Sequence, residues 1–99
     1  LEDSEVRVIA PAQLEFIREA KFYFESLTNL KILTTKYFPI SREAHFKTEK
    51  NFDIWLDFAS DYNTQIDKIV VAADALQLDS QKYEYIDLRV RGKIFYKKR

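Results

Sequence analysis

The side chains that could do acid–base or nucleophilic chemistry are few and poorly spaced for it. His45 is the only histidine, it falls on the polar face of a predicted strand, and the chain has no cysteine. Asp53 and Asp57 share a strand face, but at about 3.3 Å per residue their α-carbons lie ~13 Å apart. That distance exceeds the carboxyl separations of glycosidases, so we interpret both as solvent-facing. With one glycine, the chain also cannot build a Gly-rich phosphate loop or a nucleophile elbow. The sequence therefore predicts no enzyme activity, no metal site and no cofactor.

Residues 82–99 carry a different chemistry, that of binding. The whole chain is balanced, with 16 basic and 16 acidic residues, yet this segment holds seven Lys and Arg residues against Glu84 and Asp87. Tyrosine and phenylalanine are interspersed among these charges. A basic, aromatic end on an otherwise acidic body indicates a polar partner, although Lys97, Lys98 and Arg99 taken alone fit a solubilising tail equally well.

The same segment is predicted to form two short strands joined at Arg91-Gly92. Gly92 is the only glycine, and glycine tolerates the positive φ that a two-residue hairpin turn requires. On the first strand, the even-numbered residues from Ile86 to Val90 are apolar and should face one way, opposite to their odd-numbered neighbours. The second strand, predicted at 93–98, should lie at or near a sheet edge, whose unpaired backbone groups must be protected or used.

Several side chains of this predicted hairpin have two interpretations. Tyr83, Tyr85 and Tyr96 either stabilise the hairpin as cross-strand aromatic pairs or anchor a partner, because tyrosine is enriched at interface hot spots. Arg89 either forms a local ion pair with Asp87 or offers its guanidinium fork to a carboxylate of a partner.

Two helices and four further strands are predicted to position the hairpin. The first helix begins near Pro11 and ends at Thr28-Asn29; the second is capped by Ser60 or Asp61. Apolar residues recur in both at three- and four-residue steps, typical of one buried stripe. These stripes comprise Leu14, Ile17, Ala20, Phe24 and Leu27 in the first helix, and Tyr62, Ile66, Ile69, Val70, Ala73 and Leu76 in the second.

The four further strands are predicted at 6–9, 30–38, 43–48 and 52–58. The last shows strict alternation of apolar and polar positions, and Trp55 on its polar face should be half exposed or covered by the loop from Phe38 to Arg42. The sequence thus predicts a single α+β domain over residues 1–99, ordered β-α-βββ-α-ββ. It should have a mostly antiparallel sheet, two amphipathic helices and a C-terminal edge hairpin.

Three segments also carry a family resemblance. The ending from Tyr85 to Arg89, followed by Gly92 to Lys97, resembles the C-terminal hairpin of the FtsQ/DivIB bacterial cell-division proteins. The stretch from Phe52 to Phe58, with Asp61 and then residues 65–68, resembles that family's strand leading into a helix. Ala10-Pro11 with the apolar positions of the first helix resembles an earlier helix of the same extracytoplasmic β-domain. The resemblance covers most of the chain, in the right order.

The resemblance implies a scaffold outside the bacterial cytoplasmic membrane, in a protein whose cytoplasmic tail, transmembrane helix and POTRA domain precede this part. The partners implied are FtsB/DivIC-like and FtsL-like division proteins, with no small-molecule substrate, and the role is support of septum formation. By motif position, the partner-binding residues implied are Arg89, Val90, Gly92, Lys93, Ile94, Phe95 and Tyr96. Independently of the resemblance, the aromatic and basic side chains of Tyr83, Tyr85 and Lys97 are candidate interface anchors. Strand addition to an exposed edge is the binding mode expected.

Two alternatives remain at this point. In one, the chain is a small nucleic-acid-binding module in which Tyr83, Tyr85, Phe95 and Tyr96 stack on bases beside basic side chains. The acidic remainder of the chain and the absence of Gly-rich RNA motifs oppose it. In the other, the hairpin only completes the sheet of an orphan domain.

Overall fold

The computed structural model describes residues 10–99, so the strand predicted at 6–9 lies outside the described residues. The helices are α1 (Pro11–Thr28), α2 (Tyr62–Val71) and α3 (Ala73–Leu76), and the strands are β1 (Ile32–Phe38), β2 (Glu43–Thr48), β3 (Asp53–Asp57), β4 (Tyr83–Asp87) and β5 (Phe95–Lys98). The strands form one open sheet in the order β1-β2-β3-β4-β5. All pairs are antiparallel except β3 and β4, which are parallel. The predicted α+β domain with a mostly antiparallel sheet is therefore confirmed.

Both ends of α1 and the start of α2 lie at residues that favour helix termini. Pro11 occupies the start of α1, where its missing N–H has no helical partner to lose, and Asn29 closes the helix in the left-handed conformation at φ 61°. Asp61 caps α2 by accepting a hydrogen bond from the Asn63 N–H at 3.3 Å. The second predicted helix is interrupted at Ala72, so α2 and α3 replace one continuous helix.

The core lies on the sheet face that α1 and α2 cover, here called the inner face. Strict alternation in β2 and β3 places their apolar side chains there, as predicted, and Ala44, Phe46, Ile54 and Leu56 are fully buried. Ala20 and Phe24 of α1 and Ile66 and Ile69 of α2 are buried with them, in the same core cluster. Three other residues of the predicted stripes lie outside this contact: Leu14, Leu27 and Val70 are each more than 40% exposed.

The predicted hairpin is correct in its turn and wrong in its extent. Lys93 N donates to the Val90 carbonyl at 3.1 Å, which makes Arg91 and Gly92 the centre of a turn, and Gly92 has φ +71° as required. However, β4 ends at Asp87 and β5 begins at Phe95, so the turn lies within a longer connection, residues 88–94. Val90, Lys93 and Ile94 are in this connection rather than in a strand.

Candidate interaction site at the C-terminal edge

Strand β5 is one of the two edges of the sheet, as the sequence predicted. All four of its residues are exposed. It pairs with β4 on one side, and no described residue pairs with its other side. An edge of this kind presents unpaired N–H and C=O groups that a further strand can bind.

The direction of each backbone group on β5 follows from the ladder. Arg99 N donates to the Lys82 carbonyl at 3.0 Å, across the pair formed by Tyr83 and Lys98. In an antiparallel ladder, residues alternate between facing the partner strand and facing away. The N–H groups of residues 95 and 97 therefore point to β4, and those of Tyr96 and Lys98 point to the free edge.

The tyrosines of the hairpin divide between the two faces of the sheet. Tyr83 is buried on the inner face, its hydroxyl donates to the Leu76 carbonyl, and its ring packs edge-on against Tyr96 at 5.4 Å. The two rings thus pack across the strand pair, and Tyr83 is inaccessible as an anchor in this conformation. Tyr85 lies on the opposite, outer face and stacks on Trp55 at 4.0 Å. Phe95 and Tyr96 are each about half exposed and border the free edge.

The connection 88–94 is held by a lysine of α2. The Lys68 ammonium donates to the carbonyls of Leu88, Val90 and Lys93 at 2.8, 2.7 and 2.8 Å. The N–H of Leu88 donates to the Trp55 carbonyl at 3.0 Å. These contacts hold the connection on a path that departs from the β4–β5 ladder, which ends at Asp87 and Phe95.

Arg89 is bound within the chain. Its guanidinium forms a bidentate pair with Asp87, at 2.8 and 2.7 Å, and a further bond to Glu43 at 2.8 Å. Of the two interpretations of Arg89, the structure shows the ion pair, extended to a second carboxylate.

The burial of Asp87 and Glu43 by itself raises the pKa of both carboxyls, but hydrogen bonds and charge outweigh it. The Arg89 side chain and N–H hold the pKa of Asp87 below its ordinary value, and His45 and Arg89 do the same for Glu43. The pKa of Arg89 is raised, mainly by its hydrogen bond to Asp87.

A row of stacked rings crosses the outer face. His45 stacks on Trp55 at 4.6 Å, Tyr85 covers the other side of Trp55, and Phe38 lies 4.5 Å from His45. Trp55 is thus half-buried by side chains of neighbouring strands. The four rings required by the nucleic-acid alternative do not share one surface, since Tyr83 is buried on the inner face and Tyr85 is stacked on Trp55.

The structure brings together most of the residues that the sequence singled out. Val90, Gly92 and Lys93 are exposed in the connection, Ile94 packs partly against the core, and β5 follows directly. Two residues that organise this region were missed by sequence reasoning, Lys68 and Glu43. Each acts on residues at least 20 positions away in the chain, so no local pattern could have indicated it.

Two further chemistries find no support in the described part of the chain. Among residues 10–99, no three side chains of His, Cys, Asp or Glu are grouped closely enough to hold a metal ion. His45 instead makes a 2.6 Å contact with Glu43. None of the helices in this range combines the length and apolar character needed to cross a membrane.

Comparison with known proteins leaves the chain without an assigned family, since no family model and no curated protein matches its sequence.

Proposed function

We propose that this chain is a non-enzymatic scaffold domain that binds a partner polypeptide by strand addition to β5. The observation that supports this most directly is the free edge itself. Its four residues are exposed, and the N–H groups of Tyr96 and Lys98 point away from the sheet. Main-chain bonds of such an edge supply affinity, and alternate side chains of the added strand supply specificity.

The side chains of β5 define the chemistry of the partner strand. Phe95 and Lys97 lie on the outer face, and Tyr96 lies on the inner face beside Tyr83. Lys98 and Arg99 add positive charge at the strand end. A second copy of β5 would bring these like charges together, which is unfavourable, whereas a strand that carries acidic and apolar residues would complement them.

The resemblance to the FtsQ/DivIB β-domain gives this partner an identity. On this proposal the strand belongs to an FtsB/DivIC-like protein, with an FtsL-like protein in the same assembly, on the outer side of the bacterial cytoplasmic membrane. The scaffold then supports septum formation in cell division. The resemblance implies a partner site at Arg89, Val90 and residues 92–96, which lie in the connection and at the start of β5.

Calorimetric titration with the extracytoplasmic segment of the FtsB/DivIC-like protein of the same genome tests the proposal. Lys98→Pro removes an outward N–H and puts a ring in its place, so affinity should fall by at least about tenfold. Lys98→Ala, which keeps the N–H, is the matched control and should lose much less. Circular dichroism should remain native in both variants, because residue 98 makes no ladder bond to β4.

Two results would contradict the proposal. Equal affinity of Lys98→Pro and Lys98→Ala would show that the β5 backbone is not the docking site. Absence of saturable binding by the unmodified protein at high micromolar concentration would oppose the partner assignment.

A further inference from the structure

Lys68 makes an unusual set of contacts: its Nζ lies within hydrogen-bond distance of three backbone carbonyls of one connection. We propose that Lys68 is the positioning residue of the docking edge, in that its ammonium fixes the connection 88–94 and thereby sets the path of β5. This inference rests on the proposed function for its biological meaning, but the structural effect of Lys68 can be measured separately.

The three acceptors suit a primary ammonium. A lysine head has three donors that point in three directions, and here three acceptors lie at 2.7–2.8 Å. An arginine has a planar fork, which suits two parallel acceptors better than three converging ones. The nearby Asp87 carboxylate is taken by Arg89, so the carbonyls alone satisfy the lysine. Burial lowers the pKa of Lys68, and the charge of Asp87 partly opposes that shift.

The connection has few other bonds to hold its shape. Within it, one backbone bond closes the turn, from Lys93 N to the Val90 carbonyl. The Leu88 N–H is held by Trp55 and the Arg89 N–H by Asp87, both at the start of the connection. The carbonyls of Leu88 and Lys93 therefore depend on Lys68, and the Val90 carbonyl is shared between Lys68 and the Lys93 N–H. Loss of its ammonium should release the segment from Val90 to Ile94, just before the edge begins.

The effect should be local, because the ammonium is separate from the core. Ile66 and Ile69, on either side of Lys68 in α2, are the residues of that helix that anchor it to the core. Lys68 lines two surface grooves. One, of about 580 Å³, lies between Val71 and Ile94; the other, of about 240 Å³, lies between Asp61 and Arg91. These grooves also give small molecules access to the site.

Hydrogen exchange by NMR on Lys68→Met tests the structural claim. Methionine keeps the apolar stem and removes the donors. The amides of Lys93 and Phe95 should then exchange at least about tenfold faster, while those of Ile54 and Leu56 in the sheet centre stay unchanged. Lys21→Met, at an exposed lysine of α1, is the matched control and should change none of them. Unchanged exchange at Lys93 and Phe95 in Lys68→Met would overturn the inference.

Chemical rescue separates a missing ammonium from general damage to the fold. Lys68→Ala removes three carbons and the nitrogen, which is the composition of propylammonium. Propylammonium at millimolar concentration should slow exchange at Lys93 and Phe95 again, and tetramethylammonium, which has no N–H donor, should not. Equal effects of the two cations, or no effect of either, would overturn the claim that the donors position the connection.

Partner titration completes the test and distinguishes two kinds of failure. With the same FtsB/DivIC-like segment, Lys68→Met should bind at least about tenfold more weakly than Lys21→Met, because the connection and edge must be ordered on binding. Unaltered affinity in Lys68→Met, with exchange accelerated, would overturn the link between Lys68 and docking. If the unmodified protein does not bind the segment, the proposed function fails, while the exchange and rescue results still decide the role of Lys68.

Discussion

The two edges of the sheet are protected in different ways. β1, with seven residues, is the longer edge, and its first outward N–H, that of Ile32, is held by the Glu25 carboxylate at 2.7 Å. The N–H of Lys31 faces the β2 side instead, where it donates to the Glu49 carboxylate at 3.1 Å. β5 has four residues, its outward N–H groups bind no described residue, and charged side chains flank them. The difference shows that a side-chain carboxylate closes the start of one edge, whereas the other edge has only charged side chains beside its outward N–H groups.

The largest expected effect comes from a residue on which both edges depend. Phe46 is fully buried on β2, in the core beneath the sheet. Phe46→Ala should lower the free energy of unfolding by about 3–5 kcal/mol, because a large ring leaves a cavity. Urea denaturation measures the loss. Lys47→Ala is the control, because Lys47 is the next residue of β2 and its side chain is partly exposed on the outer face. It should change the free energy of unfolding by less than about 0.5 kcal/mol.

Hydrogen exchange in Phe46→Ala would also test whether the edges share one cooperative unit. Amides of β1 and β5 should lose protection together. Selective loss at β1, with β5 still protected, would contradict a common core and show that the two edges unfold separately.

A smaller effect is expected from the ion cluster that joins β2 to the end of β4. Arg89 links Glu43 and Asp87, whose side chains are 11% and 9% exposed. Arg89→Gln should cost about 2 kcal/mol at pH 7, since hydrogen bonds to buried charged groups are worth more than neutral ones. Arg18→Gln, at an exposed pair with Glu15, should cost less than about 0.5 kcal/mol.

The pH dependence of that cost has a definite sign. The folded-state pKa values of Asp87 and Glu43 lie below their ordinary values of 3.8 and 4.5. The unfolded chain therefore binds more protons than the folded chain at low pH. The stabilisation of the fold by the two carboxylates is complete above about pH 4.5 and is lost as the pH falls through their folded-state pKa values. Urea denaturation at pH 7, 5 and 3 measures the free energy of unfolding of Arg89→Gln and of the unmodified protein. The difference between the two free energies should become smaller towards pH 3. A constant difference would show that the interaction is not ionic.

Local sequence patterns predicted the sheet centre and the helix starts, because the causes there are themselves local. Alternation in β2 and β3 buries Phe46 and Ile54, and Pro11 and Asp61 begin their helices. The candidate site was predicted less well. The apolar alternation of β4 continues to Val90, so the pattern extends the strand past its real end at Asp87. Beyond that end, Lys68 binds three carbonyls that lie 20 to 25 positions away in the chain, and alternation carries no information about such contacts.

The smallest expected effect concerns the β1 edge alone and has a sign that separates two explanations. Glu25 lies in the last turns of α1, where the helix dipole disfavours a negative charge, so removing that charge should stabilise the helix slightly. If the carboxylate instead closes the sheet edge through Ile32 N, Glu25→Ala should destabilise the protein by about 1 kcal/mol and speed exchange of the Ile32 amide. Denaturation and exchange should also be measured on Glu15→Ala, an exposed glutamate of the same helix, which should change neither. A gain in stability in Glu25→Ala would mean that the dipole dominates and that β1 is as open at its start as β5.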